Sequence, residues 1–382
     1  MTSTTIAAVA AAGGLAATMT ARETRKPAGS ASRPIQTSAQ PAGTIKHQGG
    51  IALAPQDHVT LVALDLLPQT DKAGMRRLMT LLTQDMALLV KGRQVPADPQ
   101  PELGANPPVI TVGFGPTLFT KLKIENRAPK GFAPLPSLEI DKLEDQYTDG
   151  DLLIQIAGNN ALSVAHATRT LIRECLSFAQ TRWVQHGFTH GNRNLMGQVD
   201  GTDNPTPGSE DFNNLVWMKQ DQGWWQSGTQ MVIRRIRMNL DTWDSLGRSQ
   251  QEAAIGRRLS DGSPLSGPSI KDVPDFNAKG ANGLPAIPEF AHIRRASATT
   301  LTERFYRRPF NYVGQPVNGG QTEAGMIWTA FAADLHKQYL PVQKRLAQFD
   351  LLNLWTTPIG SAVFAIPPAP TAGEDLAAGL FA

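Results

Sequence analysis

The sequence predicts an α+β chain that runs one βαββαβ-like plan twice, giving two ferredoxin-like halves whose antiparallel sheets carry helices on their outer faces. Three observations predict it. Short β-branched, apolar runs alternate with longer stretches whose apolar residues recur at helical spacing. The order of these runs in the first part of the chain recurs in the second. Neither the regular βα alternation nor the Gly-rich first turn of a doubly wound parallel sheet is present.

Taken in order, Val59–Leu66 (VTLVALDL) reads as a strand. Lys72–Val90 reads as a helix, because Met75, Leu78, Leu81, Leu82, Met86 and Leu89 fall on one face. Val109–Gly115 and Leu152–Gly158 are two further buried strands, and the second leads into a helix over Ala161–Gln180. After the Gly/Asn/Pro-rich stretch 187–215 the plan restarts: strand Gln230–Met238, helix Leu240–Gly256, strand Gly325–Ala332, helix Leu335–Phe349 and strand Ser361–Ile366. Residues 257–288 lack any sustained period and read as a long loop over or beside the site served by the histidine that follows them. The expected organisation is a leader over 1–43, an N-terminal half over 44–190 and a C-terminal half over 191–382, with the two sheets pairing into a sandwich-like barrel.

Composition narrows the function. With 382 residues, 41% hydrophobic and 18% charged, the chain can bury a large core. The 36 Lys and Arg against 33 Asp and Glu leave +3 spread without a basic stripe, which argues against a nucleic-acid reader. Cys175 is the only cysteine, so an internal disulfide and a Cys-based zinc or iron–sulfur site are excluded within one chain. Any metal must use His, carboxylate or a cofactor. No apolar run of membrane-spanning length follows the N-terminus. Residues 6–18 (IAAVAAAGGLAAT) have the length of a signal-peptide apolar region but lack the basic flank. Export to the periplasm or outside the cell is the expectation, and a cytoplasmic protein with an Ala-rich leader is the alternative.

The most informative segment is Asn192–Pro205, NRNLMGQVDGTDNP. On residue types alone it reads more readily as ordinary turn chemistry than as a catalytic segment. Gly197-Gln198-Val199-Asp200-Gly201, however, fits the GxxDG signature of the dye-decolourising peroxidases, and the flanking Asn194-Leu195-Met196 and Thr202 resemble the exported branch of that family. Four other stretches resemble the family in the same order. They are His47–Ile51; Phe290–Arg295 around His292; Tyr306–Tyr312 around Arg307; and Pro341–Leu346 with Pro358–Gly360. Together they span residues 45–367.

The resemblance implies a dimeric α/β barrel-like fold with haem b in the C-terminal half and His292 as its iron ligand. Among the seven histidines, His292 alone follows a long Pro/Gly loop and precedes a basic run, although a lone histidine is more often structural. Peroxide cleavage needs a proton moved between the two oxygens and a fixed positive charge; Asp200 and Arg307 are expected to supply them. A carboxyl in place of a distal histidine implies an acidic optimum.

Asp350 is the expected partner of the ligand's other ring nitrogen, with a solvated helix-end carboxylate as the other reading. Arg257 and Arg234 are expected at the haem propionates, each equally readable as a surface arginine, and Thr202 and Asn204 at the distal edge. Arg308 adjoins Arg307, and in an extended segment only one of the two can face the iron. Some relatives place an Asn where Pro309 stands, so the distal side is expected to be Asp plus Arg without an Asn, with Asn311 reaching in as the alternative.

The function implied is a peroxidase that reduces hydrogen peroxide and oxidises dyes or phenols one electron at a time. A haem-handling, deferrochelatase-like protein is the alternative, and a cofactor-free binding module on ferredoxin-like halves a third. Bulky reductants would need a surface Trp or Tyr; Trp224, Trp225, Trp243, Trp328, Trp355, Tyr306 and Tyr312 are available, but most read more readily as core or edge packing, and none is assigned that role. Homo-oligomerisation is common for such folds, and no interface is legible in the sequence.

Overall fold

The computed structural model describes residues 46–96, 98–104, 106–317 and 321–382. The leader expected over 1–43 lies outside them. The elements are β1 (His58–Leu66), α1 (Lys72–Leu89), β2 (Val109–Phe114), α2 (Pro116–Lys121), β3 (Leu152–Gly158), α3 (Ala161–Cys175) and β4 (Ala179–Phe188). Then come α4 (Glu210–Val216), β5 (Thr229–Met238), α5 (Leu240–Trp243), α6 (Arg248–Ile255), α7 (His292–Ala296), β6 (Tyr306–Arg307), β7 (Phe310–Val313), β8 (Ala324–Ala332), α8 (Leu335–Phe349) and β9 (Thr356–Ile366).

All strand pairs are antiparallel. In the first half β4-β1-β3-β2 form one sheet, and in the second β9-β5-β8 continue into β6 and β7. This is the same spatial order twice, the ferredoxin-like plan duplicated. Two single-residue pairings, Phe114 with Ala365 and Phe188 with Asn311, join the sheets at both edges into a closed barrel.

The continuous burial of β1 follows from its position between two cores. Val59, Leu61 and Ala63 point into the barrel interior, and Val62, Leu64 and Leu66 point out under the helices. A strand buried on both faces reads as an unbroken apolar run. The outer layer is held by capped helices: Asp71 accepts from Gly74 N–H at 2.8 Å to start α1, and Asn160 accepts from Ser163 N–H at 2.9 Å to start α3. The buried stripe of α1, including Met75, Leu78 and Leu82, packs on that outer face.

Three expectations are corrected. The helix expected through Gln180 ends at Cys175, and the chain turns into β4, whose opening polar residues Gln180, Thr181 and Arg182 hide it beside a helix. The helix expected over 240–256 is two helices broken at Asp244–Gly247, with Gly247 opening the second. The last strand begins at Thr356, five positions before the expected start, and 306–313 contributes two short strands that the apolar pattern did not reveal.

Candidate active site

The cavity arises from an asymmetry between the halves. In the first half an 18-residue helix, α1, covers the outer face of the sheet. Its counterpart in the second half is α5 and α6, of 4 and 8 residues. Even-numbered residues of β5 (Arg234, Ile236, Met238) and of β8 (Met326, Trp328) point outward from the barrel, and beside α8 they border a cavity of about 500 Å³. Most of the wall is apolar. The 257–288 loop forms one side, as expected from its position, contributing Ile270, Val273 and Phe276 among others. The loop is ordered around two arginines. Arg258 donates to Ser263 Oγ, Pro264 O and Gly267 O, and Arg294 donates to Phe276 O and Ile287 O.

His292 is the first residue of α7. Gly256 lets that helix approach: its φ of +90° ends α6, and a Cβ there would meet Ile293 Cγ1 at 2.7 Å. His292 Nδ1 donates to Asp350 Oδ2 at 2.6 Å, while Asp350 Oδ1 accepts from Leu352 N–H at 3.0 Å. Leu351 N–H donates to Phe290 O at 3.0 Å, so the end of α8 is stitched to the segment that presents the histidine. Nε2 has no hydrogen bond among the described residues, on a ring that lines the cavity. Burial opposes protonation of His292, but the charge and hydrogen bond of Asp350 outweigh it and hold the pKa above the usual value. The charge of Asp200 adds to this and that of Arg307 subtracts.

Asp200 and Arg307 form a second cluster on the same cavity. Arg307 Nε donates to Asp200 Oδ1 at 3.0 Å, and the two side chains are 23% and 17% exposed. Asp200 is set by the turn before it, where its N–H donates to Asn192 O at 2.9 Å. The adjacent arginine points elsewhere. Arg308 is buried and donates to Ile51 O at 2.8 Å and Leu53 O at 2.7 Å, bolting the His47–Ile51 region to the barrel. Of the two arginines, Arg307 is the one lining the main cavity.

The other expected residues divide. Asp350 and Thr202 stand at the cavity. Arg257 lines it with a buried Nε that has no partner; burial lowers its pKa, and Asp203 partly offsets this. Arg234 is not a free cation at the mouth, because Asp141 holds its guanidinium in an ion pair of which both members are buried. Asn204 does not line the main cavity, since its carboxamide is engaged with the backbone of Arg307. Asn311 does not reach in either; it donates to Arg193 O at 3.0 Å.

Sequence reasoning missed Asp141, one of four carboxylates within 139–145 that nothing local distinguishes, and the packing residues Met196, Met238 and Met326 on the cavity wall. Of the aromatic residues considered, Trp225, Trp243, Tyr306 and Tyr312 are buried, while Trp328 borders the cavity and stacks at a tilt on Tyr339, 5.6 Å between ring centroids.

Comparison with known proteins places the chain. The family model described as Dyp-type peroxidase, N-terminal, matches residues 48–189, and Dyp-type peroxidase, C-terminal, matches residues 191–371. A dye-decolorizing peroxidase of Thermobifida fusca is 33% identical over 290 residues, covering 71% of this chain and 67% of that protein. A deferrochelatase of Escherichia coli K12 is 31% identical over 369 residues, covering 88% and 86%. Among solved structures, a DyP-type peroxidase from Cellulomonas bogoriensis superposes with a TM-score of 0.85 at 42% identity, covering 88% of this chain and 96% of that one. Ferric DtpA from Streptomyces lividans does so with a TM-score of 0.86 at 31% identity, covering 91% and 99%.

Proposed function

The chain belongs to the Dyp-type peroxidase family, and from that premise we propose that its cavity holds haem b on His292, with Asp200 and Arg307 as the pair that handles peroxide. The chain is a haem peroxidase; which residues carry the reaction is our reading. The observation that supports it best is that both clusters line one cavity. One is an imidazole fixed by a carboxylate with its second nitrogen free, and the other is a carboxylate in contact with a guanidinium.

The site fits the cofactor on three counts. Its volume lies within the roughly 300–1,000 Å³ of ligand pockets, with walls apolar enough for a macrocycle. Arg257 carries a buried, unpartnered Nε suited to a propionate. Among the described residues no three His, Cys, Asp or Glu side chains converge on a metal, so a metal held by His292 would have to bring most of its ligands with it. Haem supplies the redox-active iron; the remaining work belongs to the chain.

His292 would hold the iron through Nε2, and the Nδ1 bond to Asp350 fixes the ring and would make it a stronger donor. On peroxide, Asp200 would take the proton from one oxygen and return it to the other, which would leave as water with the two electrons that haem would supply, while Arg307 would offset the negative charge developing on the leaving oxygen. The two roles need different groups, because a guanidinium stays protonated and a carboxyl exchanges protons. Using a carboxyl supports an acidic optimum. We further propose dyes or phenols as reductants, Arg257 rather than the paired Arg234 as the propionate anchor, a homo-oligomer, and export on the strength of residues 6–18. No helix among the described residues is long and apolar enough to cross a membrane.

The test is the absorption spectrum of the purified protein with haem, before and after hydrogen peroxide, followed by dye turnover. A Soret band that shifts with peroxide is expected, with turnover reduced by roughly 10²–10⁴-fold in Asp200→Ala. Undiminished turnover in that variant and in Arg307→Leu would refute the assigned roles. The similarity to deferrochelatases supports a second reading, release of iron from haem. It is distinguished by assaying free iron and intact porphyrin as products in place of oxidised dye.

A further inference from the structure

We infer that Asn204 is a positioning residue that holds Arg307 in place through the backbone; this rests on the role proposed for Arg307. Strand β6 is two residues long and lies at the end of the strand order, where a strand's outward N–H and C=O groups have no neighbour. Here they do have one. Asn204 Oδ1 accepts from Arg307 N–H at 3.1 Å, and Asn204 Nδ2 donates to Arg307 O at 2.8 Å. A carboxamide carries one acceptor and one donor side by side, so it pairs with a peptide edge much as a neighbouring strand would.

The glycine of the GxxDG segment makes this contact possible. Gly201 has a φ of +76°, and a Cβ there would come within 3.0 Å of Asn204 Nδ2. Asp200 and Asn204 lie on one turn, so that turn grips Arg307 twice, once at the guanidinium and once at the peptide.

The second grip matters because the proposed proton transfer would interrupt the first. If Asp200 exchanges protons, its hold on the Arg307 guanidinium weakens whenever it is protonated. The Asn204 bonds carry no charge and persist. On the inner side, Arg308 N–H donates to Thr329 O at 2.8 Å and Thr329 Oγ1 donates to Arg308 O at 2.6 Å, which fixes the next peptide to β8. Between these restraints the Arg307 backbone is pinned while its side chain stays partly exposed to the cavity.

The experiment uses the haem-loaded full chain and three variants: Arg307→Leu as the benchmark, Asn204→Ala and Asn204→Asp. The probe is fluoride binding to the ferric protein, followed by absorbance and normalised per haem, alongside the second-order rate with hydrogen peroxide. Asn204→Ala is expected to lose about tenfold or more in both, since a misplacement of about an ångström at such a group costs up to ~10². Asn204→Asp keeps the acceptor and loses the donor while ionised. Its fluoride affinity relative to wild type should therefore be low at neutral pH and recover as the pH falls towards ~4, where a protonated acid donates again. That recovery would not follow from a merely disordered turn, and this near-isosteric variant carries the test if Asn204→Ala does not fold.

Asn204→Ala within twofold of wild type per haem, with Arg307→Leu weakened, would overturn the inference and leave the function of Arg307 standing. A deficit in Asn204→Asp that does not change with pH would also overturn it. An unaffected Arg307→Leu would overturn both the inference and the distal reading on which it rests.

Discussion

Asp350→Asn is the substitution that most directly probes how the chain tunes its cofactor. Asp350 accepts from His292 Nδ1 at 2.6 Å with one oxygen and from Leu352 N–H at 3.0 Å with the other, and it is buried. Both neighbours are donors. A carboxamide has one acceptor, so whichever way it turns, its NH₂ faces an N–H. The change removes a charge-assisted bond of roughly 1.5–3 kcal/mol and leaves a donor unmet at a further ~1–3 kcal/mol. The shape of the side chain is unchanged. His292 then becomes a weaker electron donor, and loss of such a partner costs about 10–100-fold in metal affinity or activity. If that loss falls mainly on the oxidised form, the ferric/ferrous midpoint rises by ~60–120 mV, at about 59 mV per tenfold for one electron. Spectroelectrochemistry measures the midpoint and stopped-flow the rate with peroxide. A midpoint unchanged within 20 mV (about twofold on that scale), with a rate within twofold of wild type, would refute the reasoning.

Three further outcomes are expected. His292→Ala should purify without stoichiometric haem and show no normal Soret band, and full retention with normal turnover would rule out the ligand assignment. Asp141→Asn leaves buried Arg234 without its counter-ion and should destabilise the fold by about 3–5 kcal/mol in urea unfolding; a loss under 1 kcal/mol would show the pair to be dispensable. The Asp85 carboxyl on α1 is pushed up to about 6 by burial, with the charge of Glu174 adding and Arg173 opposing. Between 3.8 and about 6 the folded chain therefore holds a proton that the unfolded chain releases, and stability falls as pH rises through that window. The upper bound is about 3 kcal/mol, and screening by water reduces it to ~1 kcal/mol. Asp85→Asn should gain that much at pH 7 and nothing below pH 4; urea midpoints across pH check it, and a constant gain would contradict the linkage.

The duplicated plan was legible because strand and helix periods are local properties. VTLVALDL reads as a strand from its β-branched, apolar run, and Lys72–Val90 as a helix from the spacing of its apolar residues. The strand β4 was not legible, since it opens on the consecutive polar residues Gln180, Thr181 and Arg182, which read as the tail of the preceding helix, and its burial alternates only from Trp183 on. In the site, local motifs in the sequence mark Asp200, His292 and Arg307.

What the sequence determined by itself was the order of elements and the candidate residues, because these depend on neighbours within a few positions. The tertiary structure alone decided which charges meet. Asp350 reaches His292 across 58 positions, Asp200 reaches Arg307 across 107, and Asp141 reaches Arg234 across 93. It also decided that Arg308 is spent on backbone carbonyls and Asn204 on a strand edge. A hydrogen bond is made at about 3 Å in space, and folding alone closes that distance, within the second half for His292–Asp350 and Asp200–Arg307 and across the two halves for Asp141–Arg234.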